Sequence, residues 1–217
     1  MINKSDVVKR AFSTEFRAET GDNNEHRIIG HAAVYDQPAD IDGWFYEVIE
    51  RGAFDECDFK DVIFCVNHDT KKIPLARSRN HNKNSTLQLE LDEVGLGVNA
   101  LLDTERNADA LALYSAVDRG DIGGMSFIFR IKDYKWENLD SDMPTKRITK
   151  ISEVYEVTAA TFPYYTGTDL DTARAKESLE SDLAALESAR NEAQRALESA
   201  RLDKEKAILK IRSKVGI

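Results

Sequence analysis

Gly120-Asp121-Ile122-Gly123-Gly124-Met125-Ser126-Phe127-Ile128-Phe129-Arg130 joins a glycine-rich turn to an apolar, β-prone run. The glycines let the backbone turn sharply or approach another chain closely. Met125, Phe127, Ile128 and Phe129 then read as a strand meant for burial. Ser126 is the one hydroxyl inside that run. A polar atom among large apolar neighbours needs a hydrogen-bond partner, and the ordinary explanation is a serine bonded to nearby backbone. A second stretch gives Ser126 a different prospect. Phe64-Cys65-Val66-Asn67-His68-Asp69 ends another apolar run at a histidine, and strand ends are where binding side chains are placed.

Working outward, the chain keeps returning to short strands. Residues 9–19 alternate crudely and read as a strand closed by the turn Gly21-Asp22-Asn23-Asn24. Residues 27–35 form a second, with a kink or close approach at Gly30. A polar loop over residues 36–40 leads to a strand over 44–49, and Arg51-Gly52-Ala53-Phe54 to a single helical turn. Strands follow at residues 61–66, 73–77, 86–92 and 98–102, the third with clean alternation of Leu87, Leu89 and Leu91. Residues 105–119 change to helical period and stop at Arg119-Gly120. After the Ser126 strand, a polar excursion over residues 136–146 precedes a last strand from Ile148 to Phe162, ended by Pro163.

This pattern predicts a mainly β (α+β) fold: an antiparallel β-barrel or sandwich with one or two short helices. From Asp171 onward the composition turns to Ala, Glu, Leu, Lys and Arg. Leu179, Leu183, Leu186, Arg190, Ala193, Leu197, Ala200, Lys204, Ala207 and Ile211 fall on a four-then-three spacing. That is a heptad seam with charged interruptions, capped in the region of Thr168 to Thr172. The expected organisation is a β-rich domain over residues 1–168 and a long helical tail over 169–217. The tail is expected to lie on its own domain, self-associate or pair with another coiled coil.

Bulk properties narrow the function. The 217 residues carry a formal net charge of −9, which argues against a broad nucleic-acid surface. No apolar run is long enough for a membrane span, and the N-terminus lacks a signal-peptide core. Two cysteines, Cys57 and Cys65, make no disulfide framework, so a reducing compartment is expected.

Four histidines offer chemistry. His26 is read into a polar turn, His31 into a packed strand and His81 into a solvent-facing loop; His68 stands at a buried strand's rim. Cys65, His68 and Asp69 could begin a metal site, but no Cys-x-x-Cys or His-x-His supplies further ligands, so no metal is expected. A Cys65 nucleophile is disfavoured because His68 lies too near in the chain to face it across a strand end. Ser126 with His68 is the productive pair. A serine hydroxyl needs a base to take its proton and a third group to fix the imidazole tautomer. Glu153 and Glu156, interrupting the last strand, both qualify. Parity places them on opposite faces without saying which meets His68, and ion pairs with Arg77, Arg79 or Arg130 are the ordinary explanation.

Taken together, Gly30-His31-Ala32-Ala33-Val34-Tyr35-Asp36, Glu47-Val48-Ile49, Gly52-Ala53-Phe54, Asn67-His68-Asp69, Pro74-Leu75-Ala76-Arg77, Gly95-Leu96, Met125-Ser126-Phe127, Glu156-Val157-Thr158 and Thr161-Phe162-Pro163 resemble the prohead maturation proteases of tailed phages. These are serine proteases similar in fold to the herpesvirus assemblins. The resemblance implies Ser126 as nucleophile, His68 as base and Glu156 ahead of Glu153 as the orienting acid. Arg77 is a candidate for holding the oxyanion site or binding substrate, with a plain surface role as the alternative. The chain departs from the family's usual Leu-Gly-Arg at Leu75-Ala76-Arg77, and from Ser-Phe-Gly-Phe at Ser126-Phe127-Ile128-Phe129.

The implied activity is a serine endopeptidase that cleaves the scaffolding segment of the major capsid protein, and itself, during capsid maturation. It would work inside the assembling prohead in the host cytoplasm, without cofactor, nucleic acid or membrane. Residues 171–217 would serve homo-oligomerisation or co-assembly with the scaffold. The competing reading is a catalytically silent capsid-assembly factor that oligomerises through the tail.

Overall fold

Two long strands form the spine of the molecule. In the computed structural model, which describes residues 7–12, 16–80, 83–161 and 172–215, the chain runs β1 (Val7–Phe12), β2 (Arg17–Thr20), β3 (His26–Val34), β4 (Ala39–Ile41), β5 (Phe45–Ile49), β6 (Asp61–Val66), β7 (Ala76–Arg79), β8 (Leu87–Leu91), β9 (Gly95–Leu102), α1 (Ala108–Asp118), β10 (Gly124–Glu137), β11 (Thr145–Ala160) and α2 (Thr172–Val215). β10 and β11, of 14 and 16 residues, pair antiparallel. β1 adds to the free side of β10, with Ala11 opposite Ser126. On its other side β11 is long enough to take two partners in tandem: β5 beside its first residues and β6 beside its last, both parallel. β4 and β7 complete this seven-stranded sheet.

The second sheet has the order β2-β3-β9-β8. The two sheets stay open and pack as a sandwich, so the sandwich half of the expected barrel-or-sandwich holds. Phe64, Phe127 and Phe129 from the first sheet and Ile28, Leu87 and Leu96 from the second are fully buried between them. Side chains on one face of a sheet recur every second residue. Met125, Phe127 and Phe129 therefore face the core, while Ser126 and Ile128 face the other way.

α1 begins at Asn107, whose side chain accepts the N–H groups of Asp109 and Ala110. It ends where Gly120 adopts φ +78°, the left-handed stop that glycine makes without strain. The same glycine starts the turn into β10.

Several segments differ from expectation. Residues 9–19 are two strands in different sheets, because an alternating pattern cannot show that a chain changes partners. The loop over residues 36–40 runs into β4, whose three residues are too few to display a period. Arg51 to Phe54 form consecutive turns, with Gly52 at φ +91°. The polar excursion is mostly hairpin: β10 runs to Glu137 and β11 begins at Thr145. His31 is half-buried and pairs with Asp92 at 2.8 Å, and His26 opens β3. The expectations for His81, Phe162, Pro163 and the cap over residues 168–171 lie outside the described residues.

The 44-residue α2 divides along its seam. Asp182 and Leu186 are buried against the β-domain, and Arg190 donates to the Leu139 and Ser141 carbonyls, each at 2.9 Å. From Gln194 to Ile211 the side chains are exposed, including Leu197, Leu202, Leu209 and Ile211. Lys146 of β11 is the anchor. Its Nζ donates to Asp182 at 2.6 Å and lies 3.7 Å from Glu47, which is itself ion-paired with Arg10 of β1. Burial alone would push the Glu47 carboxyl up; Arg10 and Lys146 outweigh it and hold the group below the usual carboxylate range.

Candidate active site

β6 ends in a tight turn. Asn67 and His68 both take positive φ, 50° and 60°, and the Asp69 N–H bonds back to the Val66 carbonyl at 3.0 Å. Two consecutive left-handed residues strain most side chains, and Asn is among those that tolerate it best. The strain is held by β11. Asn67 N–H donates to the Ala159 carbonyl, and the Asn67 side chain exchanges hydrogen bonds with Thr161 at 2.9 and 3.0 Å. His68 N–H donates to Thr158 Oγ1 at 3.1 Å. The turn thereby folds the imidazole back over the face of the sheet that carries Ser126.

There His68 Nε2 lies 2.8 Å from Ser126 Oγ, and His68 Nδ1 lies 3.0 Å from Glu156 Oε2. A carboxylate can only accept, so Nδ1 carries the proton toward Glu156 and Nε2 offers its lone pair to the hydroxyl. Ser126 Oγ is also 2.8 Å from the Arg10 carbonyl of β1. One hydroxyl proton thus has two acceptors, the imidazole and a backbone oxygen. Ser126 is only 1% exposed.

Glu156 reaches the ring because of an irregularity in β11. Val154 and Val157, three apart, are both in the core, which a regular strand forbids. The register shift between the Ile128–Glu156 and Phe129–Val154 pairs absorbs one extra residue. Glu153 then pairs with Arg130 and Glu156 with Ile128, so both acids share the Ser126 face and the parity expectation is overturned. Distance along the strand separates them instead. Glu153 stays with Arg130 at 3.6 Å, while Glu156 is fully buried under His68.

Cys65, considered in the sequence only as a metal ligand or nucleophile, and Thr158, given no role there, complete the surroundings. Cys65 Sγ lies 3.0 Å from Glu156 Oε1 and 3.4 Å from Thr158 Oγ1. Burial, then the Glu156 charge, push its thiol well above the ordinary value. It stays protonated, a donor rather than a nucleophile. The readable signal was spacing: Thr158 follows Glu156 by two and so shares its face. Arg77 sits on β7 with its guanidinium taken up by Asp61 through two hydrogen bonds of 2.6 Å. Among the described residues no cluster of three or more His, Cys, Asp or Glu could hold a metal, and no helix is long and apolar enough to cross a membrane.

Beside the His68 turn a cavity of about 360 Å³ opens between the β6–β7 loop and α1, walled by Val66, Ile73, Leu75, Ala112, Leu113 and Ile122, with Asp69 and Asp109 also lining it. No curated protein and no solved structure matches the chain. The family model for the caudovirus prohead serine proteases matches residues 12–182. That span takes in the Ser126, His68 and Glu156 positions and the first turns of α2, and the chain belongs to this family.

Proposed function

We propose that the chain is a serine endopeptidase of capsid maturation, cutting the scaffolding segment of the major capsid protein and its own chain inside the assembling prohead. The observation that carries this reading is the hydrogen-bond line from Ser126 Oγ through His68 to Glu156, at 2.8 and 3.0 Å. Ser126 Oγ attacks the scissile carbonyl while His68 Nε2 takes its proton. Glu156 holds the ring in the required tautomer and stabilises the imidazolium. The imidazolium then protonates the leaving amine, and water releases the acyl group by the same relay run again. The oxyanion falls to backbone N–H groups beside Ser126, or to Arg77 once it leaves Asp61. Substrate side chains next to the cut would lie in the apolar cavity beside the His68 turn. Productive attack also requires that the Ser126 proton turn from the Arg10 carbonyl to His68, and that room open above the serine.

The burial of Ser126 is the observation that favours the other reading, a silent assembly factor. Coexpression with the capsid protein separates the two. Ser126→Ala is expected to abolish capsid-protein processing while leaving the thermal midpoint within about 2 °C, since the lost group is one small hydroxyl. An unchanged cleavage pattern would overturn the protease reading and support the assembly role.

A further inference from the structure

His68 is held from two sides, and the two groups that hold it both contact Cys65. Its backbone N–H donates to Thr158 Oγ1 at 3.1 Å, and its ring Nδ1–H to Glu156 Oε2 at 3.0 Å. Cys65 Sγ closes the circuit, 3.4 Å from Thr158 Oγ1 and 3.0 Å from Glu156 Oε1. The register makes this possible: β6 runs parallel to β11 with Cys65 opposite Thr158, so thiol, hydroxyl and carboxylate share one face.

We infer that Cys65 is a positioning residue for the Ser126–His68–Glu156 relay, its S–H fixing the carboxylate plane by occupying Oε1 so that Oε2 is left for the imidazole. This rests on the protease reading above. A carboxylate with one oxygen unsatisfied in a buried site can rotate toward any donor, and rotation moves Oε2 off the ring. The thiol donates to Glu156 Oε1 while the imidazole takes Oε2. Burial of the thiol keeps it protonated, as the role demands. Cys65 also borders the cavity beside the His68 turn, but it exchanges no proton in the reaction and acts on the relay through Glu156.

Packing and donation make different demands at this position. Val fills the space without donating, Ser donates in nearly the same space, and a packing role would prefer Val. The test uses the full-length protein and a fluorophosphonate probe that phosphonylates an activated serine, read as a second-order rate well below each variant's thermal midpoint. Cys65→Val is expected to slow phosphonylation about 10- to 100-fold, the size of losing one hydrogen bond to a charged group. Cys65→Ser should recover to within about threefold of the parent. In a Glu156→Gln background, Cys65→Val should then cost little more, because the two residues act as one unit.

Equal rates for the parent and Cys65→Val, or a loss that multiplies in full with Glu156→Gln, would overturn the inference while leaving the protease reading intact. If the probe labels the parent but labels Ser126→Ala equally well, or does not label the parent, the protease reading falls and the inference with it.

Discussion

Glu156→Gln keeps the shape of its side chain but can donate to Nδ1, which favours the wrong imidazole tautomer. Capsid-protein cleavage is expected to fall about a thousand- to ten-thousand-fold. Glu153→Gln removes only a partly exposed partner of Arg130, worth at most about 1 kcal/mol, and should leave the rate within about twofold. Measured cleavage rates for the pair check the assignment; equal losses would contradict it. The difference between these acids is three positions in one strand, and the strand's bulge decides it. Periodicity reads Val154, Glu156 and Thr158 as one face. The extra residue accommodated near Tyr155 was invisible to it, because a bulge is a property of the pairing and not of either strand alone.

At the scale of elements, three strands and a helix meet through buried charge. The Arg10–Glu47–Lys146–Asp182 chain links β1, β5, β11 and α2. Glu47 has a depressed carboxyl pKa in the fold. Its contribution is therefore complete above the ordinary carboxylate value of about 4.3 and is lost as the pH falls through the lower, folded value. Glu47→Gln is expected to cost about 3 kcal/mol at pH 7 by leaving two buried cations short of an anion. It should also flatten the fall in thermal midpoint between pH 5 and pH 2; an unchanged slope would show that other carboxylates carry the acid transition. On α1, Ala112 is exposed at the cavity mouth. Ala112→Phe should fill part of the cavity and raise KM several-fold with kcat little changed, as expected for lost uniform binding. An unaltered KM would place substrate elsewhere.

Over the whole molecule, α2 is two things in one helix. Its first half is a strut, with Asp182, Leu186 and Arg190 fastened to the β-domain. Its second half presents Leu197, Leu202, Leu209 and Ile211 to solvent. Ending the chain after residue 193 keeps the strut and removes the bare seam. Such a protein should retain its thermal midpoint and its Ser126 reactivity, yet lose self-association in light scattering and incorporation into proheads. Removal of residues 171–217 should behave worse, because it strips Lys146 of Asp182. Normal incorporation of the shorter chain would exclude the exposed half as the assembly element.

By itself the sequence determined the β-rich class, the strand that carries Ser126 and the strand that ends at His68, the stop at Gly120 and the long helical tail. Each is written in local periods and turn residues that neighbours in the chain can display. Only the tertiary structure decided that the sheets stay open, that β11 takes two parallel partners, and that Glu156 rather than Glu153 lies under the imidazole. It alone brought Cys65 and the Arg10 carbonyl to the site. Those outcomes depend on which strands pair and in what register, and contacts made across up to 116 positions of chain leave no period in the segments that make them.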